Sequence, residues 1–439
     1  MNTPDPDAAP VPTSAPVAPA APATPGVGPD APDASTAPDA PDFSPAERAR
    51  GRALRRAQLP WALGGRLAGL ALTLVLGLTP AGAALVTATG RWFGGTRTAE
   101  VLAGGAALVL LGQVLQLPFG AGVRTVRARY GLVTQGWAGW VMDAVRSLAL
   151  TLLFVLPLVL GLFAFTAWSP RHWWVPAAGA AALLTAALSF LHPLLIEPVF
   201  NRFSPMPAGE LRTALLALAE RDGVRVRDVL VADASRRTTA LNAYVSGLGA
   251  TRRIVAYDTL LSAAEPREVE LVVAHELGHV KHRDVAVGTA LGAVGAAVAV
   301  AVLGLLADWH PLLSAAGAND AADPRALPLL AALAALIGAL SGPVQCAVSR
   351  RIEARADLHA LELTGDPEQF TAMQRRLAVV NVSDVDPPRV LELLFATHPS
   401  TTRRIEAARA WQAERERAAS TSAGGPVAEP RTTPGKSVV

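Results

Sequence analysis

Six apolar stretches dominate the chain, near residues 61–87, 101–120, 148–168, 175–196, 285–306 and 327–348. Each approaches or exceeds the roughly 20 residues a helix needs to cross a bilayer. The first contains Pro80 and many glycines and alanines, which leaves one tilted helix or a re-entrant pair open. Between the fourth and fifth stretches lies one long polar insertion, residues 197–284. Within it, residues 205–219 read as an amphipathic helix, and residues 224–232 (VRVRDVLVA) alternate like a strand. Residues 242–255 read as a hairpin with Gly247 and Gly249 at its turn. A further helix from about Pro266 runs into the fifth stretch.

Charge gives these elements an orientation. Arg48, Arg50, Arg52, Arg55 and Arg56 precede the first stretch, Arg124, Arg127, Arg129 and Arg146 separate the second from the third, and Arg350 and Arg351 follow the sixth. The alternate connections, residues 91–100, 169–174 and 308–326, carry few arginines. The positive-inside rule therefore predicts a multi-pass protein of the cell membrane with both termini and the polar insertion in the cytoplasm. Trp168, Trp173, Trp174 and Trp309 fall at the opposite boundary, as an interfacial belt would.

The expected organisation is a Pro/Ala-rich tail (1–60), four transmembrane helices (61–196), the polar segment (197–284), two more transmembrane helices (285–348), a second cytoplasmic segment (349–412) and a tail (413–439). Residues 1–45 hold 13 prolines, six aspartates and no basic residue, and such a composition buries too little apolar surface to offset its ordering entropy. The whole chain is 51% hydrophobic and 17% charged, too apolar for an ordinary soluble domain. A net charge of +3, without an aromatic-interleaved basic patch, excludes a nucleic-acid partner. The lipid bilayer is the partner this composition requires. A single cysteine, Cys346, excludes an intramolecular disulfide and a cysteine-based zinc site, and its apolar setting predicts a buried thiol.

The chemistry concentrates in His275-Glu276-Leu277-Gly278-His279, a His-Glu-x-x-His pattern inside an apolar run. On a helix the two histidines lie one turn apart on one face and can hold one Zn²⁺, which sets Glu276 as general base for a metal-activated water. A catalytic zinc needs a third protein ligand and an open position. His282 shares the helical face, but three ligands on one straight helix do not surround a tetrahedral ion. Glu353 in Ser349-Arg350-Arg351-Ile352-Glu353-Ala354-Arg355-Ala356-Asp357 is the better candidate. Asp357, one turn on, is then placed to accept the second ring N–H of a ligand histidine. His359 points away from Glu353 around the same helix. One zinc per chain is expected.

With these motifs in place, the chain resembles the type I CAAX prenyl protease family, integral-membrane zinc endopeptidases. The resemblance rests on Glu197-Pro198-Val199-Phe200-Asn201-Arg202-Phe203-Ser204-Pro205, Leu241-Asn242-Ala243-Tyr244-Val245-Ser246-Gly247, Ile254-Val255-Ala256-Tyr257-Asp258-Thr259-Leu260, the two metal helices, and Thr397-His398-Pro399-Ser400 with Arg404. It runs from about residue 60 to 412. It implies a mainly α fold, a ring of about six transmembrane helices around a chamber, with a cytoplasmic zinc-protease domain that carries a small β-sheet. It implies zinc on His275, His279 and Glu353, Glu276 as base, and His398 stabilising the oxyanion. Asp357 and Arg404 would stand behind the ligands, and Asn242 and Ala243 would bind the substrate backbone as an added strand. Eukaryotic members have seven spans where six are read here, so the count stays open between six and seven.

The expected activity is hydrolysis of peptide bonds in a peptide or membrane-protein substrate. A quality-control protease of the heat-shock branch has the same chemistry. A transporter is disfavoured because, apart from His192, the apolar stretches hold almost no ionisable residues. An inactive scaffold is disfavoured because all the catalytic positions are present.

Overall fold

The computed structural model describes residues 42–247 and 249–423; the expected tails at 1–41 and 424–439 lie outside them. Helix α1 spans Pro45–Leu78, so its start corrects the tail boundary expected at residue 60. Ser44 and Glu47 form a reciprocal capping box, and Pro45 sits where its missing N–H costs nothing. The arm is then held by packing. Phe43 buries against Ala378, Val385 and Ile405, and Leu54 against Val126, Leu132 and Val382.

Thr79 adopts an extended conformation ahead of Pro80 and ends α1, so the first apolar stretch is two helices rather than one. The second, α2 (Pro80–Arg91), has 12 residues and rises about 18 Å, too short to cross. Helices α3 (Arg97–Arg129), α4 (Trp137–Trp168) and α5 (Trp174–Leu191) follow. After a π-helical turn (His192–Ile196), the chain enters α6 (Glu197–Phe200) and strand β1 (Phe203–Pro205).

Helix α7 covers Glu210–Arg221, starting later than the amphipathic pattern suggested because Pro205 is still paired in the sheet opposite Leu230. Strand β2 is Asp228–Ala232; the preceding residues finish the α7 turn instead, where Val224 N–H donates to the Ala219 carbonyl at 2.9 Å. The expected hairpin is β3 (Ala243–Ser246) antiparallel to β4 (Arg253–Tyr257). Four strands make one mixed sheet in the order β1-β2-β4-β3, with β2 and β4 parallel and β3 at an edge.

Helix α8 (Asp258–Ala263) leads to α9 (Pro266–Lys281), which carries the His-Glu-x-x-His pattern. Then come α10 (Asp284–Ala307), α11 (His310–Ala316), α12 (Leu327–Thr364), α13 (Pro367–Val380), α14 (Arg389–Phe395) and α15 (Thr401–Ala423). The last of these corrects the tail expected from residue 413: residues through Ala423 are helical, and α15 is anchored by buried Ile405 and Ala408.

Among the described residues, six helices are long and apolar enough to span a membrane: α1, α3, α4, α5, α10 and α12. They touch in a closed order, α1–α3–α4–α5–α10–α12 and back to α1, which makes a ring. Trp168 and Trp309 are exposed as a belt requires, but Trp173 is not. It is buried among Val101, Phe163 and Leu303, because the turn before α5 folds inward onto the ring. Cys346 is only half-buried on α12, not enclosed as expected.

Candidate metal centre

Helix α9 is the scaffold of the site. Glu265 and Glu268 cap its start, and Glu268 is also clamped by Arg376 at 2.6 Å. Leu271, Val273, Ala274 and Leu277 are buried in the main core of the polar segment, which fixes the helix's rotation. At Gly278 an added Cβ would lie 3.2 Å from the Ala356 Cα. This glycine thus lets α12 approach closely enough for its carboxylates to reach the histidines.

The two rings meet edge to face, with centroids 4.9 Å apart and their Nε2 atoms at 3.2 Å. Each Nδ1 faces a carboxylate, His275 on Asp357 at 2.8 Å and His279 on Asp284 at 2.9 Å. With both Nδ1–H groups donating outward, two Nε2 lone pairs confront each other, an arrangement that a shared cation resolves. Glu353 enters the same space. Its Oε2 is 3.3 Å from His275 Nε2 and its Oε1 is 3.6 Å from His279 Nε2. That Oε2 is buried and accepts no hydrogen bond. Ligand atoms of His275, Glu276 and His279 also lie within 4.8 Å of one another. Two imidazoles, a carboxylate and an unsatisfied buried oxygen fit a divalent ion of the zinc type.

The surroundings hold these groups by charge. Arg404 Nε donates to Asp357 at 2.7 Å, and its Nη2 makes a second contact with the same carboxylate. Arg355 holds Asp284 through a single contact, from its Nη2. Without a cation, the His275 imidazole carries a proton well into the alkaline range. Burial pulls its pKa down, but the neighbouring carboxylates of Asp357 and Glu353 outweigh it and raise it to about 9. Burial also raises the Glu276 carboxyl above the usual carboxylate range, against the lowering influence of His275 and His279.

His398 arrives from the segment after α14. Its Nε2 is 3.2 Å from Glu353 Oε2, and its Nδ1 is 2.9 Å from Thr397 Oγ1. With the Thr397 hydroxyl donating to Nδ1, Nε2–H is left pointing into the site. Arg350 fixes this approach by donating to the carbonyls of Glu392 at 2.9 Å and Ala396 at 2.7 Å. Asn242 and Ala243 open the edge strand β3, Asn242 exposed and Ala243 buried. The backbone of Val245 on the same strand lies close enough to lower the Glu276 carboxyl's pKa, so the edge lies beside the base.

The structure therefore gathers His275, Glu276, His279, Glu353, Asp357, Arg404 and His398 at one point. It leaves His282 and His359 out. His359 Nε2 pairs with Asp222 at 3.1 Å, and the His282 ring packs on His359. Asp284, Arg355 and the Val245 backbone were missed by sequence reasoning. The one available signal for Asp284 is a lone acid opening an otherwise apolar 24-residue helix, five residues past His279.

Comparison with known proteins gives two family matches. The description "Peptidase family M48" matches residues 205–412, and "CAAX prenyl protease N-terminal, five membrane helices" matches residues 40–202. The chain belongs to peptidase family M48, as a CAAX prenyl protease-like member. It is 32% identical to the uncharacterized metalloprotease YhfN of Bacillus subtilis over 63% of this chain and 66% of that one. It is 25% identical to a CAAX prenyl protease 1 homolog of Caenorhabditis elegans over 65% and 71% of the two chains. A rice CAAX prenyl protease 1 homolog is 29% identical over 40% of this chain and 42% of its own. The matched stretch thus spans just under two thirds of the Bacillus relative and less than half of the rice one. The crystal structure of S. mikatae Ste24p aligns with a TM-score of 0.74 at 20% identity, covering 84% of this chain and 90% of that one, so the fold is shared.

Proposed function

We propose that the protein is a zinc endopeptidase that hydrolyses peptide bonds at the cytoplasmic face of the membrane, with His275, His279 and Glu353 holding one zinc. The observation that carries this reading is the meeting of Glu353 with two imidazoles whose outer nitrogens are both committed to carboxylates. A zinc ion there supplies Lewis acidity toward the scissile carbonyl and toward water.

The chain's own residues supply the rest. Glu276 takes the proton of the attacking water and passes it to the leaving amine; its raised pKa makes it a stronger acceptor than an exposed carboxylate. His398 donates its Nε2–H to the oxyanion as the carbonyl becomes tetrahedral. Asn242 and Ala243 pair with the substrate backbone as one more strand on the β3 edge, which sets the scissile bond beside Glu276. Asp357 and Arg404 hold His275 in the required tautomer.

Purified wild type and Glu276→Gln are compared for zinc by elemental analysis and for cleavage of a fluorogenic peptide library. Equal zinc with hydrolysis only in wild type is the expected result. Hydrolysis that survives in Glu276→Gln would reject the base assignment, and absence of zinc from both would reject the metal.

A further inference from the structure

Away from the metal centre, at the cytoplasmic ends of α3 and α4, two arginines share one carboxylate and a third, Arg124, is joined to it through Gln135. Arg146 Nη1 and Arg237 Nη2 share the same oxygen of Asp143, at 3.3 and 3.2 Å. Gln135 Nε2 donates to the other oxygen at 2.6 Å. Arg124 donates to the Gln135 carbonyl and lies 3.9 Å over the Trp137 ring. Asp143 pairs with Arg146 and Arg237, whereas Arg124 makes no ion pair with a carboxylate among the described residues, so the three guanidinium groups stand against one negative charge. The Nε atoms of Arg124 and Arg237 are buried and have no hydrogen-bond partner. A charged donor left unpaired away from water is costly.

The cluster's height in the fold is informative. Arg124 lies four residues beyond the second apolar run, and Asp143 and Arg146 lie just before the third. At 1.5 Å per residue these groups sit roughly 3–8 Å outside the hydrocarbon layer, the depth of lipid headgroups. Arg146 is the exposed member and opens the cluster to the outside, whereas Arg237 closes it from behind. Arg237 belongs to the loop after β2, which is tied to the spans through Thr134 Oγ1 donating to the Ser235 carbonyl at 2.7 Å and Thr238 Oγ1 donating to the Leu132 carbonyl at 3.0 Å.

We propose that Arg124, Arg146 and Arg237 form a binding site for a phosphate group, supplied by the headgroup of an anionic phospholipid in the adjacent leaflet. Guanidinium forks match phosphate oxygens, and the anion neutralises the excess charge. Because Arg237 comes from the polar segment and Arg124 and Arg146 from two spans, the bound headgroup ties the sheet domain to the ring.

The site is tested by native mass spectrometry on the full chain in detergent, with phosphatidylglycerol, phosphatidylcholine or inorganic phosphate added separately. Wild type should retain one phosphatidylglycerol in clear preference to phosphatidylcholine. Arg146→Gln, the mildest change, should weaken retention about tenfold, the loss of one charge-assisted pair. Asp143→Asn should strengthen it, because a competing negative charge is gone. Arg52→Gln with Arg56→Gln, on α1 away from the cluster, should change nothing. Undiminished retention in Arg146→Gln, or weaker retention in Asp143→Asn, would overturn the site. Binding of inorganic phosphate without any of phosphatidylglycerol would overturn the lipid as its source. None of these readouts depends on peptidase activity, so they stand or fall apart from the proposed function.

Discussion

Asp284, the first residue of α10, accepts the Nδ1–H of His279 at 2.9 Å, so the start of a membrane helix orients one of the two metal-facing imidazoles. The link exists because Arg283 takes a left-handed conformation (φ 56°) between α9 and α10, turning the chain so that Asp284 reaches back. Asp284→Asn should therefore lower zinc affinity or activity by about 10–100-fold while the fold persists. Chelator competition followed by residual zinc reads this directly. Unchanged affinity would make Asp284 a helix-start residue held by Arg355 and nothing more.

Zinc binding should also depend on pH in a defined direction. The imidazole of His275 is raised to about 9 in the cation-free site, so at neutral pH it is protonated there and zinc must displace that proton. Apparent affinity should rise by about tenfold per pH unit as pH increases toward 9, and level off above it. Asp357→Asn removes the strongest cause of the raised value, so the same titration on that variant should level off at lower pH. A flat affinity between pH 6 and pH 9 in wild type would contradict the assignment.

The grouping of side chains around His275 and His279 was more legible in the sequence than its supports. His275, Glu276 and His279 follow from a helical period, and Glu353 and Asp357 from a one-turn carboxylate pair, because both patterns are local. Asp284 and Arg355 act across a chain reversal that depends on a left-handed arginine, which no composition announces. The sheet's edge was legible as a hairpin, but the closeness of the Val245 backbone to Glu276 depends on tertiary placement. Helix boundaries failed where packing overruled composition. The arginine-rich start of α1 is held by Phe43 and Leu54 against distant partners, and Trp173 turns inward where an aromatic belt was expected.

The roles proposed for Glu353 and His398 should separate cleanly by their effects. Glu353→Gln should strip the metal, since the amide cannot replace the carboxylate charge. His398→Phe should keep the metal and reduce kcat by about 10²–10³, the usual loss for one oxyanion donor. Zinc content and steady-state kinetics on the two variants decide it. Full zinc in Glu353→Gln would reject that ligand, and unchanged kcat in His398→Phe would move the oxyanion role elsewhere.

Topology turns on α2. The family description for residues 40–202 speaks of five membrane helices, and this region does hold five long or medium helices, α1 to α5. Only four of them reach spanning length and hydropathy. Helix α2 instead packs on α11 and on the turn Pro324–Ala326, both in the connection between α10 and α12. At Gly82 an added Cβ would lie 2.7 Å from Pro328 Cβ, and Gly317 sits 3.4 Å by the same measure from Pro80. We propose that α2 caps the ends of α1, α3 and α12 opposite the metal centre without crossing, and that these ends face outside. In a Cys346→Ser background, single cysteines at Gly94 and Asn319 should react with a membrane-impermeant maleimide on intact cells, whereas Glu47→Cys and Arg389→Cys should react only after lysis. Labelling of both Glu47→Cys and Gly94→Cys on intact cells, with Arg389→Cys still protected, would mean that α2 crosses after all. The span count would then be seven, and the arginine-rich start of α1 would lie outside the cell, against the charge rule that set the orientation.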